Sequence, residues 1–251
     1  MSCHITRKII FHNKDFGATL FHPKVTLDKA DGSLLMTVQT VHGSDYFGPV
    51  QFSVSKDRGE TWSAPENIPS LDIEELADSQ TREGTCDVVP DYHPQTDTIL
   101  AIGHNVYYHS KGFLDTLQDF SGANKNQTLQ RYGVYAVRKR SGEWSPRRRL
   151  EFPEFAEYSS FVCGCGQKII LPDGNLLIPF YLGPWGRRDR MCCTFLCSFD
   201  GTEITLLKRG NLLELPVDRG LLEPSIIDFA GKFYLTLRAE DGHGHFSQSD
   251  D

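Results

Sequence analysis

A turn followed by an apolar strand recurs four times along this chain, and such repetition confines a protein to architectures that stack similar units. The copies are Asp31-Gly-Ser-Leu-Leu-Met-Thr-Val-Gln39, Thr96-Asp-Thr-Ile-Leu-Ala-Ile-Gly-His104, Asp173-Gly-Asn-Leu-Leu-Ile-Pro-Phe-Tyr181 and Ala230-Gly-Lys-Phe-Tyr-Leu-Thr-Leu-Arg238. Strand-like stretches such as 24–27, 168–171 and 225–229 precede them, so each unit opens with a hairpin whose turn carries Asp or Gly. Those residues tolerate the backbone angles that tight turns demand. A second hairpin follows in each unit, at 50–62, 132–144, 192–205 and from 244 onward. Four strands per repeat predict the blades of a β-propeller.

Only 71–77 and 112–120 look locally helical, and both fall between strand units. Residues 109–130, rich in Asn, Gln, Ser and Gly, read as a surface loop inserted into the second unit. The expectation is an all-β propeller, a single domain over 1–251 with about four four-stranded blades present. The fourth repeat breaks off in mid-turn at Ser249-Asp250-Asp251. Because a propeller closes its last blade on its first to cover open sheet edges, a domain incomplete at the C-terminus is expected.

Net charge is −7, and the one dense basic stretch is Arg138, Lys139, Arg140, Arg147, Arg148 and Arg149 around a Ser-Gly turn. It reads as a solvated hairpin, and no nucleic-acid partner is expected. The chain has neither an apolar run of membrane-spanning length nor the apolar stretch of a secretory signal after Met1. No membrane association and a cytoplasmic location are the corresponding expectations. The seven cysteines lack the spacing of a zinc knuckle, and Asp87, His93 and His104 match no metal signature. Adjacent strand residues also point to opposite faces, so free thiols are expected, with no metal and no cofactor.

Two segments carry more specific information. Ser55-Lys-Asp-Arg-Gly-Glu-Thr-Trp62 reads as a stapled hairpin in which the Asp carboxylate accepts turn amides, Gly takes a positive φ and Trp packs beneath. Glu223 begins one strand and Arg238, 15 positions later, ends its hairpin partner, so both side chains converge near one end of a blade at the propeller axis. An arginine fork there grips a carboxylate with two parallel hydrogen bonds, while a Glu–Arg pair joining two blades is the structural alternative.

With these segments the chain resembles the sialidase (neuraminidase) superfamily, whose Asp-box or BNR repeat the Ser55–Trp62 hairpin matches. The resemblance implies a propeller of six blades when complete and a retaining, exo-α-sialidase-type glycoside hydrolase acting on an anionic glycan. It implies Glu223 as the base that activates a tyrosine nucleophile, and Arg238 as one member of an arginine triad. Asp45, which follows His22 by 23 positions, fits the acid/base. The family's first arginine, in an Arg-Ile-Pro sequence, is replaced by Phe21-His22-Pro23-Lys24. Either His22 or Lys24 stands in for it, or His22 is structural. The tyrosine nucleophile and third arginine belong to later blades and are expected beyond Asp251, which implies that these residues alone lack sialidase activity. His104 and Tyr108 offer hydrogen bonds to sugar hydroxyls, and Tyr181, with Trp185, Arg187 and Arg188, offers a stacking rim. Two further classes stay open: a propeller polysaccharide lyase or rhamnosidase-like enzyme that uses His22 or His104, and a non-catalytic glycan-binding propeller. The expected partner in each is a carbohydrate.

Overall fold

A strand covered on one face alternates in exposure, whereas a strand sandwiched between two neighbours is buried throughout. Both kinds occur here. The computed structural model describes residues 6–42, 46–78, 80–109, 112–113 and 129–250, so Asp45 lies outside the described residues. Strand β1 (Thr19–Leu27) alternates exposed and half-buried positions, and the strand Thr98–His109 is buried from Thr98 through Tyr108. β1 therefore forms a margin of the molecule. Thr98–His109 forms its middle.

The strands group into four blades. In the first, β1 pairs antiparallel with β2 (Leu34–Val41), then β3 (Phe47–Ser55) and β4 (Glu66–Asn67). The second holds β5 (Glu74–Glu75), β6 (Thr81–His93), β7 (Thr98–His109), β8 (Gly112–Phe113), β9 (Arg131–Arg138) and β10 (Arg148–Arg149). The third holds β11 (Tyr158–Val162), β12 (Ile169–Ile170), β13 (Leu176–Pro184), β14 (Met191–Phe199) and β15 (Ile204–Arg209). The fourth is the meander β16 (Leu222–Phe229), β17 (Lys232–Arg238) and β18 (Gly244–Ser249). A short parallel pairing of β11 with β9, Ser160 opposite Arg131 and Phe161 opposite Tyr132, joins the second and third blades into one sheet.

Apolar clusters fill the spaces between successive blades. Leu35, Val50 and Phe52 of the first blade meet Val88, Ile99, Ala101 and Val134 of the second. Leu100, Ile102 and Val137 meet Phe161, Ile178, Phe180 and Phe195 of the third, with Phe152 and Phe155 wedged between them. Cys192 meets Ile226, Leu235 and Leu237 of the fourth. Burying such side chains contributes about 1.5–3 kcal/mol each, so the interfaces hold the blades in order. Val25 and Leu27 on the first blade, and Phe229 and Phe246 on the fourth, remain exposed.

Two local expectations are corrected. Residues 71–77 are not helical: Pro69–Leu71 forms a 3-10 turn with Ile68 and Leu71 buried, and Glu74–Glu75 pairs with β6. Residues 112–113 are strand, and the rest of 112–120 lies outside the described residues. The basic stretch is also more than a solvated hairpin. Arg140 reaches Asp28 of the first blade at 2.6 Å and also pairs with Asp97, and Arg147 contacts Glu83 at 2.5 Å. Its charges tie blades together.

The Ser55–Trp62 hairpin is held by its own side chains. Asp57 accepts from the Thr61 amide (2.8 Å), the Thr61 hydroxyl and the Ser55 hydroxyl (2.9 Å), and the Gly59 amide donates to Ser55 Oγ at 2.8 Å. Gly59 has φ 90°, and Trp62 Nε1 donates to its carbonyl. These bonds hold the Asp57 pKa down to about 2, the Thr61 hydroxyl contributing most.

Candidate functional site

In or next to the innermost strand of each blade lies one residue in the left-handed region: His22 (φ 49°), Asp87 (φ 58°), Gly164 (φ 41°) and Glu223 (φ 48°). At three of them the antiparallel register slips, between Phe21 and Lys24, between Cys86 and Val89, and between Leu222 and Ser225. Gly164 sits in the break between β11 and β12. These are β-bulges. A bulge adds a residue that escapes ladder pairing and re-aims its side chain, and a left-handed non-glycine residue costs about 1–2 kcal/mol. Pro23 and Pro224 follow two of them, where an amide donor is dispensable.

The bulges bring side chains from different blades together. His22 Nδ1 lies 2.7 Å from Asp87 Oδ1, linking the first blade to the second. His104, directly across the ladder from Cys86, places Nε2 at 3.2 Å from Cys86 Sγ and 3.9 Å from Asp87 Oδ2. A Cβ on Gly164 would meet Glu223 Cα and Tyr181 Cε1 at 3.5 Å each, so the third and fourth blades touch here as well. Glu223 accepts from Arg238 at 2.6 Å across the β16–β17 hairpin. Arg131, first residue of β9, is buried close enough to feel the charges of Tyr181, Cys86, Asp87 and Tyr108, and its Nε has no hydrogen-bond partner among the described residues.

Charge in this cluster follows from burial and neighbours. Burial pushes the His104 pKa down to about 3, with Arg131 acting in the same direction, so its imidazole is neutral. For Asp87, burial opposes ionisation, but the contact with His22 and the charges of His104, His22 and Arg131 outweigh it and the carboxyl is held below its usual range. Burial raises the Tyr181 phenol well above its ordinary value, against the opposing charge of Arg131. Resting Tyr181 is therefore a neutral donor.

The expected site residues separate into groups. His22 and His104 meet at Asp87, while Glu223 and Arg238 meet each other, with Tyr181 beside Glu223. Tyr108 is fully buried, its hydroxyl accepting from the Phe47 amide at 3.1 Å and its ring edge-on to Tyr46 at 4.9 Å, so it supports the site from beneath. Trp185 Nε1 donates to Ala156 O, and Arg187 pairs with Asp189, so both are engaged locally. His93 is buried, bonding Thr96 Oγ1 and Gly174 O at 2.8 Å each. The central position of Asp87, the paired Cys86 and the whole of Arg131 were not anticipated. The signal was present in the aligned Phe21-His-Pro-Lys24, Cys86-Asp-Val-Val89 and Leu222-Glu-Pro-Ser225, each with a polar residue where one bulge falls.

This arrangement of blades is a sialidase-like fold. A Hadza microbial sialidase superposes with a TM-score of 0.67 at 17% identity, covering 96% of this chain and 47% of its own. Trypanosoma rangeli sialidase in complex with sialic acid superposes with a TM-score of 0.63 at 17% identity, covering 93% of this chain and 36% of its own. The leech intramolecular trans-sialidase, complexed with 2,7-anhydro-Neu5Ac, superposes with a TM-score of 0.66 at 12% identity, covering 99% and 52%. The chain thus spans about half or less of the solved structures it resembles. No protein-family model and no curated protein matches it by sequence.

Proposed function

We propose that the protein acts on a carbohydrate, as a retaining sialidase-like glycoside hydrolase whose substrate carries an anionic group. The observation that carries this reading is the Glu223–Arg238 pair at 2.6 Å, set on the innermost hairpin with Glu223 in a left-handed bulge beside Tyr181. A half-exposed ion pair of this kind adds at most about 1 kcal/mol to stability. Backbone strain at Glu223 for so little stability supports a role beyond packing. In this reading Glu223 is the base for a tyrosine nucleophile, Arg238 binds the substrate's anionic group, and Asp45 supplies the proton to the leaving oxygen. The test is release of free sialic acid from sialylated glycans by the protein at its natural length. Glu223→Gln and Asp45→Asn are each expected to lower kcat by about 100-fold or more, and Arg238→Met to act mainly on KM. Wild-type turnover in Glu223→Gln would overturn the assignment.

A second reading rests on a different observation. His22, in the segment that carries the family's first arginine, lies 2.7 Å from Asp87, with neutral His104 behind. An imidazole oriented by a carboxylate suits proton transfer at a uronate, as in a polysaccharide lyase. Unsaturated, ultraviolet-absorbing products that disappear in His22→Ala would favour it. Tight glycan binding without either product would favour a binding propeller.

A further inference from the structure

The second blade holds a set of side chains that neither reading uses as a unit. Cys86 and Asp87 are neighbours in β6, and neighbours in a regular strand point to opposite faces. The bulge between Cys86 and Val89, with Asp87 at φ 58°, cancels that rule and leaves thiol and carboxylate on the same side. His104 is the direct cross-strand partner of Cys86. One donor atom from each of the three lies within 4.8 Å of the other two.

We infer that Cys86, Asp87 and His104 form a binding site for a divalent transition-metal ion of the zinc type. Zinc takes thiolate at about 2.3 Å and imidazole nitrogen at about 2.0 Å in tetrahedral geometry, which sets ligand-to-ligand edges of about 3.3–3.5 Å. His104 Nε2 lies 3.2 Å from Cys86 Sγ and 3.9 Å from Asp87 Oδ2, on either side of that value. A mixed sulfur, nitrogen and oxygen set suits zinc, cobalt or nickel over magnesium or calcium, which take oxygen alone. His22, 2.7 Å from the other Asp87 oxygen, orients the carboxylate as outer partners of metal ligands do. The fourth position lies on the side where Asp87 and His22 keep some exposure, since Cys86 and His104 are each only 2% exposed. On binding, the Cys86 thiol gives its proton to solvent, and thiolate with carboxylate neutralises the dication. The positive charge of Arg131 acts on both Cys86 and Asp87 and limits affinity for a dication.

The test is titration of the metal-stripped protein with cobalt(II), followed by competition with zinc. One equivalent is expected to bind, with the near-ultraviolet absorption of a thiolate–cobalt bond and the intense visible bands of a tetrahedral site. Cys86→Ser should abolish the near-ultraviolet band, Asp87→Asn should weaken binding about tenfold or more, and Arg131→Met should strengthen it about tenfold. Circular dichroism confirms that each variant is folded, and the partly exposed Asp87 supplies a readout should Cys86→Ser fail. The thiolate band persisting in Cys86→Ser, equal cobalt affinity in wild type and Asp87→Asn, or no thiolate band in folded wild type would each overturn the site. Any of these would place bound metal elsewhere, as at the surface cluster Asp241, His243 and His245, where His245 Nε2 lies 2.9 Å from Asp241. Glycan turnover enters none of these readouts, so the outcome stands apart from the hydrolase reading.

Discussion

Asp57 shows how a single carboxylate can organise a turn it barely leaves the solvent to make. Its pKa, held to about 2 chiefly by the Thr61 hydroxyl and amide, lies below that of an unfolded aspartate. Its stabilisation is therefore complete above about pH 4 and is lost as pH falls through about 2. Asp57→Ala should lower the thermal midpoint at pH 6, and the gap from wild type should close as pH is taken down through that window. A gap that stays constant would mean that the hydrogen bonds seen at Thr61 and Ser55 do not govern the hairpin. Arg131 makes the complementary point. Nothing in its immediate sequence, Leu129-Gln-Arg-Tyr132, marks it as different from the arginines that pair on the surface. Its setting arises only when β9 folds beside β7 and β11.

Among the elements, the hairpins were the most legible part of the sequence because their signals are local. Asp31-Gly32, Asp173-Gly174 and Ala230-Gly231 announce turns, and the apolar runs after them become β2, β13 and β17. The convergence of Glu223 and Arg238 was legible for the same reason, since both lie on one hairpin. The His22–Asp87–His104 cluster was not, because it depends on bulges, and a bulge leaves no composition of its own. The backbone claim at these positions is separable from their chemistry. In an ordinary strand, Gly is less stable than Ala, but at a left-handed position the order reverses. Glu223→Gly should therefore be more stable to urea than Glu223→Ala by about 1 kcal/mol. The opposite order would mean that β16 is regular at this point.

Taken whole, the molecule is a row of blades whose neighbours are tied at both apolar and polar levels. Polar ties cross each junction: Thr37 Oγ1 donates to Val88 O at 2.7 Å, Lys168 Nζ reaches Val89 O at 2.8 Å, and the Ile226 amide donates to Gln167 O at 3.1 Å. His93 serves the same end, its buried ring joining Thr96 of the second blade to Gly174 of the third. His93→Ala removes two hydrogen bonds and leaves the Gly174 carbonyl without that partner, so a loss of about 2–3 kcal/mol is expected in urea unfolding. Amide exchange should quicken in β6 and β13 together, and acceleration confined to β6 would show that the blades open independently. The four left-handed positions have a wider consequence. At three of them the ladder skips a residue, so the side chain there is freed from the alternation of the sheet. His, Asp and Glu fill three of these seats, and Gly leaves one blank. Such a scaffold can exchange one chemistry for another seat by seat, with every strand left in register.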